Sequence, residues 1–79
     1  RLPVSEENVL SVLAEDYWVN PGLHMTVGDL RQYIEGDEDE ILRTAERLEE
    51  QGSVMALRDR KNGGIRLVKA TYEGLAKVS

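Results

Sequence analysis

The sequence contains no cysteine, which excludes disulfide bonds, thiolate metal sites and a cysteine nucleophile. Its single histidine, His24, has no second histidine or cysteine near it, so we interpret it as an ordinary loop or strand residue. No apolar run approaches the roughly 18–20 residues that a membrane-spanning helix needs, and no signal peptide is apparent. Nothing points outside the cell, and we expect a cytoplasmic protein without a metal site.

Motifs that support catalysis are lacking as well. Acidic residues are plentiful, but they fall on predicted helix faces without a basic or nucleophilic partner at useful spacing. There is no glycine-rich phosphate loop, because Gly63-Gly64 belongs to a predicted hairpin turn. We therefore expect a protein that is not an enzyme and that needs no cofactor.

The charged residues that are present are divided unevenly along the chain. The net charge of the 79 residues is −5, which disfavours a phosphate-binding role. Residues 1–52 carry 4 basic and 13 acidic side chains, whereas residues 53–79 carry 6 basic and 2 acidic ones. The first part is therefore strongly acidic, and the second part has a net charge of +4.

The length of the chain and the spacing of its apolar residues predict one small domain over residues 1–79. Helix starts are marked by Ser5, by Thr26 with Asp29, and by Asp37 with Glu40, the last two in the pattern of a capping box. The predicted elements are a helix over 5–19, a helix over 26–35, a helix over 37–51, a hairpin over 53–70 and a short helix over 72–78. The fold class is therefore α+β, dominated by helix.

The predicted hairpin carries its own turn signal. Asn62-Gly63 lies between the two strands and favours a two-residue type I′ turn, which would set the register. The expected cross-strand pairs are Leu57 with Val68, Met55 with Ala70 and Asp59 with Arg66. Two of these pairs are apolar and the third has opposite charges, as is typical of cross-strand neighbours.

The order of these elements resembles the winged-helix domains of bacterial MarR/PadR-type transcriptional regulators. The resemblance covers about residues 23–77 and rests on short matching segments. These segments are Thr26-Val27-Gly28-Asp29-Leu30, Ile41, Leu48-Glu49-Glu50-Gln51-Gly52, Val54, Asp59 and Thr71-Tyr72-Glu73-Gly74-Leu75-Ala76. The resemblance implies a winged helix-turn-helix, in which the helix over 37–51 enters the major groove of double-stranded DNA. The hairpin over 53–70, the wing, would then contact the DNA backbone or the minor groove.

The resemblance also implies which residues contact DNA. The base-reading positions become Glu38, Asp39, Glu40, Leu42, Arg43 and Glu46. The phosphate-contacting positions of the wing become Arg58, Arg60, Lys61 and Arg66. An alternative interpretation is that the wing cations only protect a hairpin edge from aggregation. Arg43 could contact phosphate, but Arg43 and Arg47 have acidic neighbours at helical spacing, so pairing within the helix is the favoured interpretation.

The acidic start of the predicted third helix, Asp37-Glu38-Asp39-Glu40, conflicts with a base-reading role. Base edges in the major groove offer mostly acceptors, and the flanking phosphates repel carboxylates. We favour the interpretation that this segment is a well-capped, solvated helix start whose acids complement the helix dipole, over the alternative that it recognises a basic partner. The alternative function is a protein-interaction or dimerisation module that does not bind DNA. Leu42 and Trp18 are the candidate contacts for that role.

Overall fold

A computed structural model describes residues 1–79 of the chain. The helices span Glu6–Val19 (α1), Val27–Leu30 (α2), Glu38–Glu50 (α3) and Tyr72–Val78 (α4). The strands span Leu2–Pro3 (β1), Met25–Thr26 (β2), Ile34–Glu35 (β3), Val54–Arg58 (β4) and Ile65–Ala70 (β5). None of the helices combines the length and the apolar composition that a membrane crossing requires.

The helix starts follow from side chains that accept hydrogen bonds from otherwise unpaired backbone N–H groups. The Asp37 carboxylate accepts from the Glu40 amide at 2.8 Å, and the Glu40 carboxylate accepts from the Asp37 amide at 3.3 Å. Thr26 and Asp29 form the same reciprocal capping box at the start of α2. The predicted capping boxes are therefore confirmed, and Asp37 and Glu40 are engaged in building α3.

The strands form two small sheets. The larger sheet has the order β2-β5-β4 and is antiparallel throughout. The smaller sheet pairs β1 with β3 in parallel. Helix α1 packs against β5, α3 and α4, so that it forms the centre of the domain. The largest fully buried side chains are Leu13, Leu30, Ile34, Ile41, Leu48, Val9 and Val68.

The predicted helix over 26–35 is wrong beyond its first turn, because α2 ends at Leu30. The amides of Gln32 and Tyr33 bond three residues back instead of four, which tightens and ends the helix. Ile34 then turns fully into the core and pairs with Leu2 of β1. This pairing links residues far apart in sequence, so the local apolar spacing that predicts a longer helix does not reveal it.

The predicted register of the hairpin is wrong by one residue. Leu57 lies opposite Leu67, and Met55 lies opposite Lys69. The loop contains the four residues 60–63 instead of two, and it is closed by the Asp59 amide, which donates to the Gly64 carbonyl at 2.8 Å. Gly63 alone in this loop has a positive φ, +71°, so a type I′ turn does not form. The predicted Asp59–Arg66 pair is absent, since Asp59 faces Gly64.

Candidate functional site

The tip of the wing is ordered by two local turns. The Asp59 carboxylate accepts a hydrogen bond from the Lys61 amide at 2.7 Å, and the Asn62 side-chain oxygen accepts one from the Gly64 amide at 2.7 Å. Such contacts between a side chain and the backbone two residues ahead are typical of Asx turns. They fix the backbone that carries Arg60 and Lys61 while leaving both cationic side chains free.

Three cations of the wing are available to a ligand. Arg60, Lys61 and Arg66 are exposed, and none of their side chains forms an ion pair. Arg66 is the additional residue at the irregularity in β5, because Arg58 pairs with Ile65 and Leu57 pairs with Leu67. We call these three residues the free wing cations, since they are the exposed cations of the hairpin that form no ion pair.

The fourth predicted wing residue, Arg58, is already engaged. Its guanidinium donates to the Gly63 carbonyl at 2.8 Å and forms an ion pair with Glu49 of α3. A second carboxylate, that of Glu46, lies 3.9 Å from the same guanidinium. The structure therefore places Arg58 between the wing and α3, where two acidic side chains neutralise it.

The other cations of residues 53–79 do not add to this surface. Lys69 is buried, and its ammonium donates to the Leu23 carbonyl at 2.6 Å and lies 5.0 Å from the centre of the Tyr17 ring. Lys77 donates to the Ser53 hydroxyl at 2.6 Å. Both lysines contribute to the net positive charge of residues 53–79. In the folded chain, however, their ammonium groups bind other parts of the domain. Local sequence carries no signal for either contact.

On α3 the structure changes the expected pairing of the two arginines. Arg47 pairs with Glu6 of α1 at 3.2 Å and not with an acid of its own helix. Arg43 is exposed and forms no ion pair. The expectation that both arginines pair within α3 is therefore wrong, and Arg43 remains available beside the exposed acids Glu38 and Asp39.

Glu6 links the start of α1 to the end of α3. Its carboxylate accepts hydrogen bonds from the Gln51 amide group at 2.7 Å and from Arg47 at 3.2 Å. The bond from Gln51, followed by that from Arg47, lowers the pKa of Glu6 below its ordinary value. Because both bonds favour the ionised form, they stabilise the fold more while Glu6 is charged than when it is protonated.

We expect Glu6→Gln to lower the thermal midpoint at neutral pH, since the variant loses the ionised acceptor. A lowered pKa in the folded state contributes stability above the ordinary pKa of Glu6, and this contribution is lost as the pH falls through the folded-state value. The difference from the original chain should therefore vanish in acid. Thermal melts across the acidic range measure it, with Glu7→Gln as the control. A difference that persists unchanged at low pH would contradict the assignment.

The opposite end of α1 exposes aromatic surface. Trp18 is 70% exposed and meets the Tyr17 ring edge-on at 5.0 Å. Tyr72 is 78% exposed and lies 6.2 Å from Tyr17 between ring centres. Leu42, the other candidate for partner contact, is half-buried and packs against the core. Of the two residues proposed as contacts for a protein partner, Trp18 is therefore exposed and Leu42 is packed against the core.

Comparison with known proteins bears on the fold. No protein-family model matches the chain, and no curated protein matches it. Among solved structures, the chain is similar to that of a cysteine-to-serine mutant of Lactococcus lactis ZitR, with a TM-score of 0.68 and 16% sequence identity. The likeness covers 92% of this chain and 45% of the ZitR chain.

The chain has a winged-helix fold. At 16% identity the likeness shows the fold alone. In this fold α2 and α3 form the helix-turn-helix, and β4 and β5 form the wing. The chain spans less than half of the ZitR chain, so the whole of that protein is not represented here.

Proposed function

We propose that this chain is the DNA-binding module of a transcriptional regulator, of the MarR/PadR type that its sequence resembles. The observation that carries the proposal is the winged-helix frame with unpaired cations on the wing, Arg60, Lys61 and Arg66. The module acts by binding and not by catalysis. We propose a cytoplasmic location, because the regulators that the sequence resembles are bacterial.

The charge distribution favours phosphate contacts over base readout. Cationic side chains that neutralise phosphates release condensed counterions, which drives binding regardless of sequence. On α3, Arg43 is the one unpaired cation near the start of the helix, where Glu38 and Asp39 are exposed. In the proposed complex these carboxylates would face the major groove of DNA, where the base edges offer mostly hydrogen-bond acceptors. We therefore propose that the wing supplies most of the affinity and that α3 reads few bases.

The salt dependence of DNA binding tests this proposal. Each phosphate contact contributes about 0.9 to the slope of log affinity against log salt, so three free wing cations give a slope of about 2.7. Arg43 raises the expected slope to about 3.6 if it also contacts phosphate. Fluorescence anisotropy with a labelled random duplex, at several low salt concentrations, measures both affinity and slope. We expect Lys61→Ala to lower the slope by about 0.9.

Arg1→Ala is the matched control, because Arg1 is an exposed cation outside the wing and α3. It removes the same charge and should leave the slope unchanged. A triple variant, Arg60→Ala with Lys61→Ala and Arg66→Ala, should abolish measurable binding. Unchanged binding by the triple variant would show that the wing is not the contact surface. Absence of binding by the original chain at roughly 100 µM, the weak end of ordinary non-specific affinity, would refute DNA binding itself.

A second candidate function is protein interaction or self-association on the same scaffold. The observation that favours it is the exposed apolar surface at the end of α1, where Trp18, Val19 and Leu23 are 70%, 66% and 62% exposed. Large exposed aromatic residues are typical of interface contacts. Sedimentation velocity of the original chain and of Trp18→Ala tests this role. Concentration-dependent association that Trp18→Ala removes would support it, and a monomer at all concentrations would exclude self-association.

A further inference from the structure

An ion-pair cluster joins the wing to α3, and we call it the Arg58 latch. It consists of Arg58 on β4 and the carboxylates of Glu46 and Glu49, one turn apart on α3. All three side chains are partly exposed, at 38%, 49% and 30% respectively. The latch is therefore open to solvent and to a bound ligand.

The carboxylates of the latch lie against Nη1 and Nη2 of Arg58, two nitrogens that could also donate to a phosphate. A guanidinium presents its N–H donors in a fixed fork that matches the geometry of both carboxylate and phosphate groups. One fork cannot bind Glu49 and a phosphate with the same donors. Arg58 also donates to the Gly63 carbonyl, a bond that does not involve α3 and that holds the guanidinium next to the wing tip. Loss of the carboxylates would leave Arg58 beside the free wing cations.

We propose that the latch is an autoinhibitory contact, in which Glu49, assisted by Glu46, competes with DNA phosphate for Arg58. This inference rests on the proposed DNA-binding function and deepens it. In the latched state the wing binds through Arg60, Lys61 and Arg66 only. In the open state Arg58 contributes a fourth phosphate contact. The acidic helix thus limits the affinity of the wing beside it.

The balance between the two states can be shifted by a single side chain. Exposed ion pairs contribute little, so their loss changes an equilibrium by about fivefold at most. A single phosphate contact is of comparable weight, and one added contact raises the salt slope by about 0.9. Neither the carboxylate nor the phosphate is therefore expected to hold Arg58 by a large margin.

Glu49→Gln tests the latch against Glu50→Gln. The two glutamates are neighbours on α3, but Glu50 forms no ion pair. We expect Glu49→Gln to tighten binding to a random duplex by about fivefold and to raise the salt slope by about 0.9. Glu50→Gln removes the same charge without releasing a cation, so it should change the affinity by less than about twofold and leave the slope unchanged. Circular dichroism confirms that each variant is folded.

Arg58→Ala completes the cycle. We expect it to lower the affinity less in the original chain, where Arg58 is latched part of the time, than in the Glu49→Gln background, where it should cancel the whole gain. Equal slopes for Glu49→Gln and Glu50→Gln, in proteins that bind DNA, would overturn this inference alone. If Arg58→Ala instead lowers the DNA affinity equally in the original chain and in Glu49→Gln, that result would also overturn the inference, because Arg58 would then contact phosphate without being released from Glu49. Absence of binding by every variant would overturn the proposed function as well.

Discussion

Replacing Gly74 by alanine is expected to destabilise the chain by about 3 kcal/mol, at the upper end for added volume in a packed interior. Gly74 lies in the first turn of α4, and a Cβ atom there would lie 2.0 Å from the Ser53 carbonyl oxygen. It would also lie 3.1 Å from a methyl group of Leu10. The Ser53 carbonyl cannot move away freely, because it accepts a hydrogen bond from the Thr71 amide at 3.1 Å. Helix α4 would have to shift away from Ser53 and from α1.

A thermal melt measures this effect directly. For a domain of this size, about 3 kcal/mol corresponds to a midpoint lowered by about 12–24 °C. Gly28→Ala is the matched control, since Gly28 lies in α2 and a Cβ atom there meets only the Thr26 hydroxyl, at 3.6 Å. That variant should be neutral or stabilising by up to about 1 kcal/mol. Equal midpoints for the two alanine variants would show that α4 does not dock as described.

Truncating Leu13 to alanine is expected to lower the free energy of unfolding by about 2–5 kcal/mol, since it leaves a cavity in the core. Leu13 is 1% exposed and lies in the middle of α1, the helix that packs against β5, α3 and α4. Small domains bury a limited fraction of their surface and have little stability to spare. We therefore expect Leu13→Ala to be partly unfolded at room temperature.

Urea unfolding followed by circular dichroism measures the loss. Leu23→Ala makes the same chemical change at a side chain that is 62% exposed, so it should cost less than about 0.5 kcal/mol. The Leu23 carbonyl that accepts from Lys69 stays in place in that control. A similar loss of stability in both variants would contradict the central position of α1.

Features encoded within a few residues could be predicted from the sequence. The capping boxes of Thr26 with Asp29 and of Asp37 with Glu40 form because both partners lie within one helical turn. The order of helices and hairpin follows from the same local signals. The second capping box also explains part of the acidic start of α3, because two of the acidic residues there, Asp37 and Glu40, cap its N-terminus.

Features that depend on distant residues could not be predicted. Ile34 leaves the helical path because it pairs with Leu2, and nothing near Ile34 indicates this partner. The register of the wing shifts because the loop has four residues and β5 contains an additional one. Arg58 is neutralised by Glu49 only once the wing packs beside α3. The same holds for Lys69, whose charge counts toward a basic region in the sequence but lies buried against α1.

The most direct test of the wing as a DNA-binding surface is a nuclear magnetic resonance titration of the ¹⁵N-labelled chain with a short duplex at low salt. We expect the largest amide shifts at residues 60–66, smaller ones near Arg43, and little change at Trp18 and Tyr72. Shifts confined to Trp18, Leu23 and Tyr72, or no shifts at any residue, would contradict DNA binding by the wing.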